Sequence, residues 1–464
     1  MSNMQKQNHN VLETDKIGRL LMKLTTPMLF GMIVQNIYAI VDTIFIGRYV
    51  GSLGIAGLSI TFPLQMLTMG IGTMMGLGGA SLISRLLGAG EQRSAERALG
   101  NSILFSFIFS ALIMLVVLLP LTYWLKLMGA SQDVLPFARD YLTITYLGTV
   151  FNITSSVLLT LVRSEGNTRV PMISLIGQSV LNILLDWLFM RPEGLNMGMQ
   201  GAALAVVISQ AAALAYVSSY YLTGESYLKL HWRNFIPDAK IMKGIFAIGV
   251  TQFIQAIAMS VSAMLLVKQI VNYGGDISLG AFGIIQRVMM LSSVPGMVIG
   301  QAMQPILGFN YGAKRYHLAL KTIFLATSTA TAFSIVAFII LYIFPEPIIR
   351  VFTTDNKLVA ETVFAAKNIF VVMPLFGFFN VGQLIFPSIG KAIDTLIIAV
   401  SRPALFLIPL VLTLPHLWDM TGVWLAFPGA DVLTFLLTIG LLIPLIRQFK
   451  KAAAAEKAAP AVGH

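Results

Sequence analysis

The chain of 464 residues contains no cysteine, and only 11% of it is charged. The first absence rules out disulfides and thiolate metal sites. The second leaves about half the charge of a soluble domain. Acids are the scarcer sign: 20 Asp and Glu stand against 31 Lys and Arg, a formal net charge of +11. Such an excess ordinarily raises nucleic acid as a partner, but here the basic residues sit in short loops between apolar blocks, so no nucleic acid is expected. The glycines at 70–79 come without a phosphate-loop lysine, His231 and His317 lack a second ligand at metal spacing, and no nucleophile–base pair or zinc signature is present. These absences speak against an enzyme and against a metal site or cofactor. No cleavable leader is expected either, because the first apolar block, residues 24–46, is too long for a signal core.

What the sequence has in abundance is apolar residues, 56% of the chain. They come in blocks of roughly 20 to 28, long enough to cross a hydrocarbon core about 30 Å thick. Spanning segments in lipid are helices or closed barrels, and the blocks lack the alternating period of barrel strands. The expectation is an all-α membrane protein with twelve transmembrane helices, near 20–47, 54–80, 97–122, 134–162, 170–190, 197–222, 241–270, 279–307, 318–344, 360–388, 395–415 and 421–446. With the N-terminus inside, only Arg48, Lys126, Arg139, Arg191, Lys268, Arg350, Lys357 and Lys367 fall outside, and nearly all other Lys and Arg face the cytoplasm. The positive-inside rule therefore places both termini in the cytoplasm of a multi-pass cytoplasmic (inner) membrane protein.

The polar stretch around 224–243 divides six spans from six, and across it the sequence repeats. Tyr49-x-Gly51 returns as Tyr273-x-Gly275, Ser52-Leu53-Gly54 as Ser278-Leu279-Gly280, and Gly90-Glu91-Gln92-Arg93 as Gly312-Ala313-Lys314-Arg315. Three matches in register predict a duplication: a lobe over 1–235, a second over 236–450, and an Ala-rich cytoplasmic tail at 451–464. Units with an even number of spans share one orientation, so the two six-helix bundles are related by a pseudo-two-fold axis along the membrane normal, an architecture typical of transporters.

Charges inside spans are costly and usually face a cavity or a partner; here they are Asp42, Asp186, Arg287, Arg402 and Asp431. Asp42 lies six residues before Arg48 and Asp186 five before Arg191, so both sit roughly 7–9 Å below the outer end. Asn182 is one turn before Asp186 on the same face. Two carboxylates and an amide at one depth suit a cation or a shared proton; the alternative is that each carboxylate only anchors a helix end. Arg402 and Asp431 read as a structural pair. Among the in-span amides, which bond between helices more often than they touch substrate, Gln35, Asn152, Gln178, Gln286 and Gln304, with Arg287, are the candidates for a substrate cavity. Pro27 and Pro387 are candidate bends, and the glycines at 70, 72, 76, 78 and 79 predict close helix packing.

The segments TTPMLFGMIVQNIYAIVDTIFIGRYVGSLGIAGLS (25–59), GAGEQRSAERALGNS (88–102), RSEGNTRVPMISLIGQSVLNILLDWLFM (163–190), AFGIIQRVMMLSSVPGMVIGQAMQPILGFNYGAKRY (281–316), FPEPIIRVFT (344–353) and GVWLAFPGAD (422–431) together resemble the multidrug and toxic compound extrusion (MATE) family, in its prokaryotic drug-exporting form. The resemblance covers nearly all of the chain apart from its tails. It implies alternating access and antiport: export of cationic, often aromatic, organic substrates in exchange for protons or sodium. It also implies an ion site of an aspartate in span 1 and Asn-x-x-x-Asp in span 5, which fall on Asp42, Asn182 and Asp186. The family's span-six Gly-Ala-Ala-x-Ala-Thr reads GAALAV at 201–206, so Val206 stands where a hydroxyl often completes the site, which weighs toward protons. No acid lies between Lys243 and Lys268, so the second-half acidic site of some members has no counterpart in span 7. A monomer in membrane lipid is expected. The alternatives are a lipid-linked oligosaccharide flippase, which calls for several basic residues along the cavity, and, from other classes, an integral-membrane enzyme or a channel.

Overall fold

The computed structural model describes residues 11–458, and among these every regular element is a helix. Nine helices are long and apolar enough to cross a membrane, and two bent pairs make two more spans. The 74-residue helix Ala239–Gly312 is broken at Gly275 and supplies two of the spans, which brings the number to twelve. In order, span 1 is Ile17–Tyr49, span 2 Ser52–Gly88, span 3 Gln92–Leu118, span 5 Arg169–Met190, span 6 Gly198–Leu222, span 9 Tyr316–Ile343 and span 12 Pro415–Ala458. Spans 7 and 8 lie before and after Gly275, and span 11 covers Ala392–Thr413. Span 4 turns by 55° between Leu135–Leu147 and Thr149–Ser164, and span 10 by 51° between Asn356–Phe370 and Met373–Ile389.

The repeated Tyr-x-Gly has a structural meaning. Gly51 and Gly275 both take positive φ, 91° and 64°, a conformation that costs other residues a Cβ clash. Each ends one span and starts the next. The bend in span 10 falls at residues 371–372 rather than at Pro387, which sits inside the helix Phe376–Ile389. The helix of span 1 runs unbroken through Pro27.

Packing divides the chain into two compact units. The first takes in Thr26–Gly249; the second takes in Thr14–Thr25 and the chain from Val250 onward. In the first unit, span 2 is the closely packed element. A Cβ at Gly76 would meet Thr160, one at Gly79 would meet Ser102 at 2.5 Å, and one at Gly78 would meet the Ile245 carbonyl oxygen at 2.3 Å. The connector before span 7 is docked: Asn101 Nδ2 donates to the carbonyls of Asn234 and Ile236 at 3.1 Å, and its oxygen accepts from Asp238 N–H. In the second unit the core gathers Phe282, Phe376, Phe379, Trp424 and Phe427. Its span 11 passes through a π-helical stretch, Ser401–Leu407, and its last helix reaches Ala458, where Glu456 accepts from His317 at 3.0 Å.

Outside, the apolar side chains stay exposed. Phe30, Ile33, Ile37, Ile40 and Ile44 form a stripe on span 1, each at least 44% exposed. A soluble protein rarely shows so large a patch, whereas a multi-pass membrane protein carries such surfaces as a rule.

Candidate functional site

Span 1 turns its opposite face inward. Asp42 is 8% exposed there, and Asp186 and Asn182 of span 5 are 0% and 1% exposed. The two carboxyl groups lie within hydrogen-bonding reach of each other. One oxygen of each, Asp42 Oδ1 and Asp186 Oδ1, has no hydrogen-bond partner. In the orientation that satisfies the Asn182 amide, its nitrogen donates to Asp186 Oδ2 at 3.0 Å and its oxygen accepts from Val206 N–H at 3.2 Å. Span 6 thus contributes a backbone donor at Val206 and no side-chain oxygen.

Two tyrosines complete the surroundings. Tyr38 and Tyr141 both stand close enough to interact electrostatically with both carboxyl groups. Tyr38 precedes Asp42 by one helical turn, a spacing visible in the sequence. Tyr141 comes from span 4, and nothing local in its sequence ties it to the aspartates.

The candidate amides distribute unevenly. Gln35 lies seven residues before Asp42, and Gln178 four before Asn182, so each continues a polar stripe along its helix. Gln35 is exposed, and Gln178 is half-buried, as is Asn152 of span 4. Gln286 and Arg287 belong to the second unit and are exposed on span 8, whereas Gln304 is 4% exposed with its Nε2 unpartnered. Arg402 and Asp431 meet: Nε donates to Oδ1 at 2.5 Å and a terminal nitrogen to Oδ2 at 3.5 Å.

Two further carboxylates escaped the sequence reading. Glu361, in the first half of span 10, accepts from Ser278 Oγ at 2.9 Å and Trp424 Nε1 at 3.4 Å. Glu165, in the loop after span 4, is 5% exposed and accepts from Ser226 Oγ at 2.7 Å and Tyr227 N–H at 3.2 Å. Burial pushes its carboxyl up to about 7, against hydrogen bonds that favour the charged form. Among the described residues no group of three or more His, Cys, Asp or Glu is placed to hold a metal ion.

Twelve spans in two six-helix bundles, with a buried carboxylate pair inside one of them, define a polytopic membrane transporter. The MatE family model matches residues 27–188 and again 251–413, once in each half, and the chain belongs to that family. It is 28% identical over 428 residues to the multidrug export protein MepA of Staphylococcus haemolyticus, covering 91% of this chain and 93% of that protein. The MepA of Staphylococcus aureus is 26% identical, over 89% and 90%. Among solved structures, the MATE multidrug transporter DinF-BH is 41% identical, with a TM-score of 0.86 over 93% of this chain and 96% of that one. An outward-facing MATE family transporter of the MOP superfamily shares the fold with a TM-score of 0.89 at 22% identity, over 96% and 99%.

Proposed function

We propose that this protein is a secondary antiporter that exports amphipathic organic cations across the cytoplasmic membrane in exchange for protons taken up at Asp42 and Asp186. Val206, which brings no hydroxyl to the site, carries the choice of ion, and the hydrogen bonding of Asn182 supports it. In the orientation that satisfies both polar atoms of Asn182, the oxygen accepts from Val206 N–H and the nitrogen faces Asp186, so the amide offers a donor where sodium would need an oxygen. Two adjacent carboxylates away from water hold one proton between them at far less cost than two charges. Proton uptake then biases the equilibrium between the outward-open and inward-open states, because a ligand shifts populations only through differential affinity.

The cargo reading draws on the relatives named for multidrug export and on an aromatic content of 10%, enough to supply cation–π contacts. Gln35, Asn152, Gln178, Gln286, Arg287 and Gln304 are the proposed contacts. The protein acts as a monomer without a cofactor, its halves at 1–235 and 236–450 serve as the moving lobes, and both termini lie in the cytoplasm. The test is efflux of a fluorescent cation from reconstituted vesicles under separately imposed proton and sodium gradients. A proton gradient alone should drive it; export driven only by sodium would overturn the assignment of the ion.

A further inference from the structure

Arg287 is a charge well inside span 8 that, among the described residues, no carboxylate answers. Asp431 is taken by Arg402, and Glu361 accepts from Ser278 and Trp424. Among the described residues Arg287 has no ion pair, and its side chain is exposed. It lies twelve residues beyond the break at Gly275, about 18 Å along the helix at 1.5 Å per residue, and so deep in a core about 30 Å thick.

The phase of span 8 fixes where that charge points. Phe282, Ile284, Ile285 and Val288 are buried in the unit's own core. Gly283, Gln286, Arg287, Met290 and Leu291 share the exposed side, and the space beside Gly283 is open. A guanidinium at this depth is too costly to leave against hydrocarbon, so this face looks into water. Gln286 adds an amide beside the charge. One turn further in, Met290 and Leu291, 63% and 60% exposed, form an apolar shelf.

We propose that this face of span 8 is a binding subsite for an anionic group, such as a carboxylate, on an amphipathic aromatic substrate. The guanidinium fork pairs with carboxylate oxygens through two parallel charge-assisted bonds, Gln286 supplies a further donor, and the shelf takes an aromatic body. The cargo then extends from plain cations to zwitterions. This inference rests on the export reading above and deepens it.

The test uses one xanthene dye in two forms, its ethyl ester (a cation) and its free acid (a zwitterion). Equilibrium binding to the purified full chain is measured by fluorescence anisotropy, beside proton-driven uptake of each form into vesicles. In Arg287→Gln, the affinity for acid relative to ester should fall about tenfold, the worth of a charge-assisted hydrogen bond. Arg287→Lys, which keeps the charge and loses the fork, should fall between. A ratio unchanged in both variants overturns the subsite; this includes the case of a guanidinium held by lipid phosphate. Wild-type vesicles that move neither dye would count against export itself, while the binding ratio still decides the subsite.

Discussion

Asn182 lies one turn before Asp186, and in the orientation that satisfies its amide the nitrogen donates to that carboxylate at 3.0 Å while the oxygen accepts from Val206 N–H at 3.2 Å. The amide then donates to one member of the carboxylate pair, and on the proposed mechanism Asp42 and Asp186 share the exchanged proton. Asp42→Asn keeps size and hydrogen-bonding capacity but takes up no proton. Proton-driven export should fall by about tenfold or more, since the ion no longer biases either open state. Equilibrium drug binding should largely persist, and thermal stability should hold or rise because a buried charge is removed. Asp186→Asn should behave alike. Wild-type export by Asp42→Asn at matched protein level would take Asp42 out of the mechanism.

Val206→Thr tests what the missing hydroxyl does to sodium binding. The substitution adds a hydroxyl oxygen beside the Asn182–Asp186 pair at nearly constant volume. Sodium should then raise the melting temperature of the variant and not of the wild type, as any ligand that prefers the folded state does. An identical sodium response in both proteins would show that the missing hydroxyl is not what excludes the ion.

The Arg402–Asp431 pair should matter for folding more than for coupling. Asp431 is fully buried and Arg402 is 29% exposed, so Asp431→Asn strands a guanidinium that water reaches only in part. The loss should lie toward the lower end of about 3–5 kcal/mol, the cost of breaking a buried pair, reduced by that access to water. Replacing both residues by leucine should recover much of it. Proton-driven export per folded molecule should fall less than in Asp42→Asn; an equal fall would make the pair part of coupling.

Much of this was readable in advance, for identifiable reasons. Spans announce themselves because lipid demands long apolar helices, and Asp42, Asn182 and Asp186 could be grouped by counting turns from Arg48 and Arg191. The departures come from tertiary packing. Nothing in the apolar run of span 1 marks Thr14–Thr25 as packing with the second unit, where Lys321 Nζ donates to the Asp15 carbonyl. Pro387 is a strong local signal for a bend, yet it stays inside the helix Phe376–Ile389 and the turn in span 10 falls at 371–372. Glu165 reads as an ordinary loop carboxylate until Tyr220, Ser226 and Tyr227, more than fifty residues away, close around it.

Close packing of span 2 predicts a sharp contrast between glycines. Gly78→Ala would set its Cβ 2.3 Å from the Ile245 carbonyl oxygen, a backbone atom that cannot swing aside. Overpacking of this kind costs about 1–3 kcal/mol. Gly177→Ala meets nothing within 4 Å and should be neutral or mildly stabilising, as alanine favours the helix. Thermal unfolding of the two variants decides; equal melting temperatures would mean that span 2 and the start of span 7 yield at that contact.

Glu165 should make the stability of the protein fall as pH rises toward neutrality. Its carboxyl moves from the ordinary value of 4.5 up to about 7 on folding, because burial disfavours the charge more than Ser226, Tyr221, Tyr227 and Tyr220 favour it. Between those values the folded chain holds a proton that the unfolded chain has released, so raising pH draws the balance toward unfolding. The stabilisation is complete below about 4.5, is lost through about 7, and the curve is level above it. The Oε1 oxygen, which lacks a hydrogen-bond partner, is where the neutral acid can carry its proton at no loss of the bonds on Oε2. Glu165→Gln is neutral at every pH, so its melting temperature should match wild type near pH 5 and exceed it at pH 8, by the equivalent of about 1–3 kcal/mol for an unpaired buried acceptor. Because Asp42 and Asp186 titrate in both proteins, the difference between the two melting curves isolates Glu165. A difference that does not change between pH 5 and pH 8 would show that this carboxyl stays charged throughout.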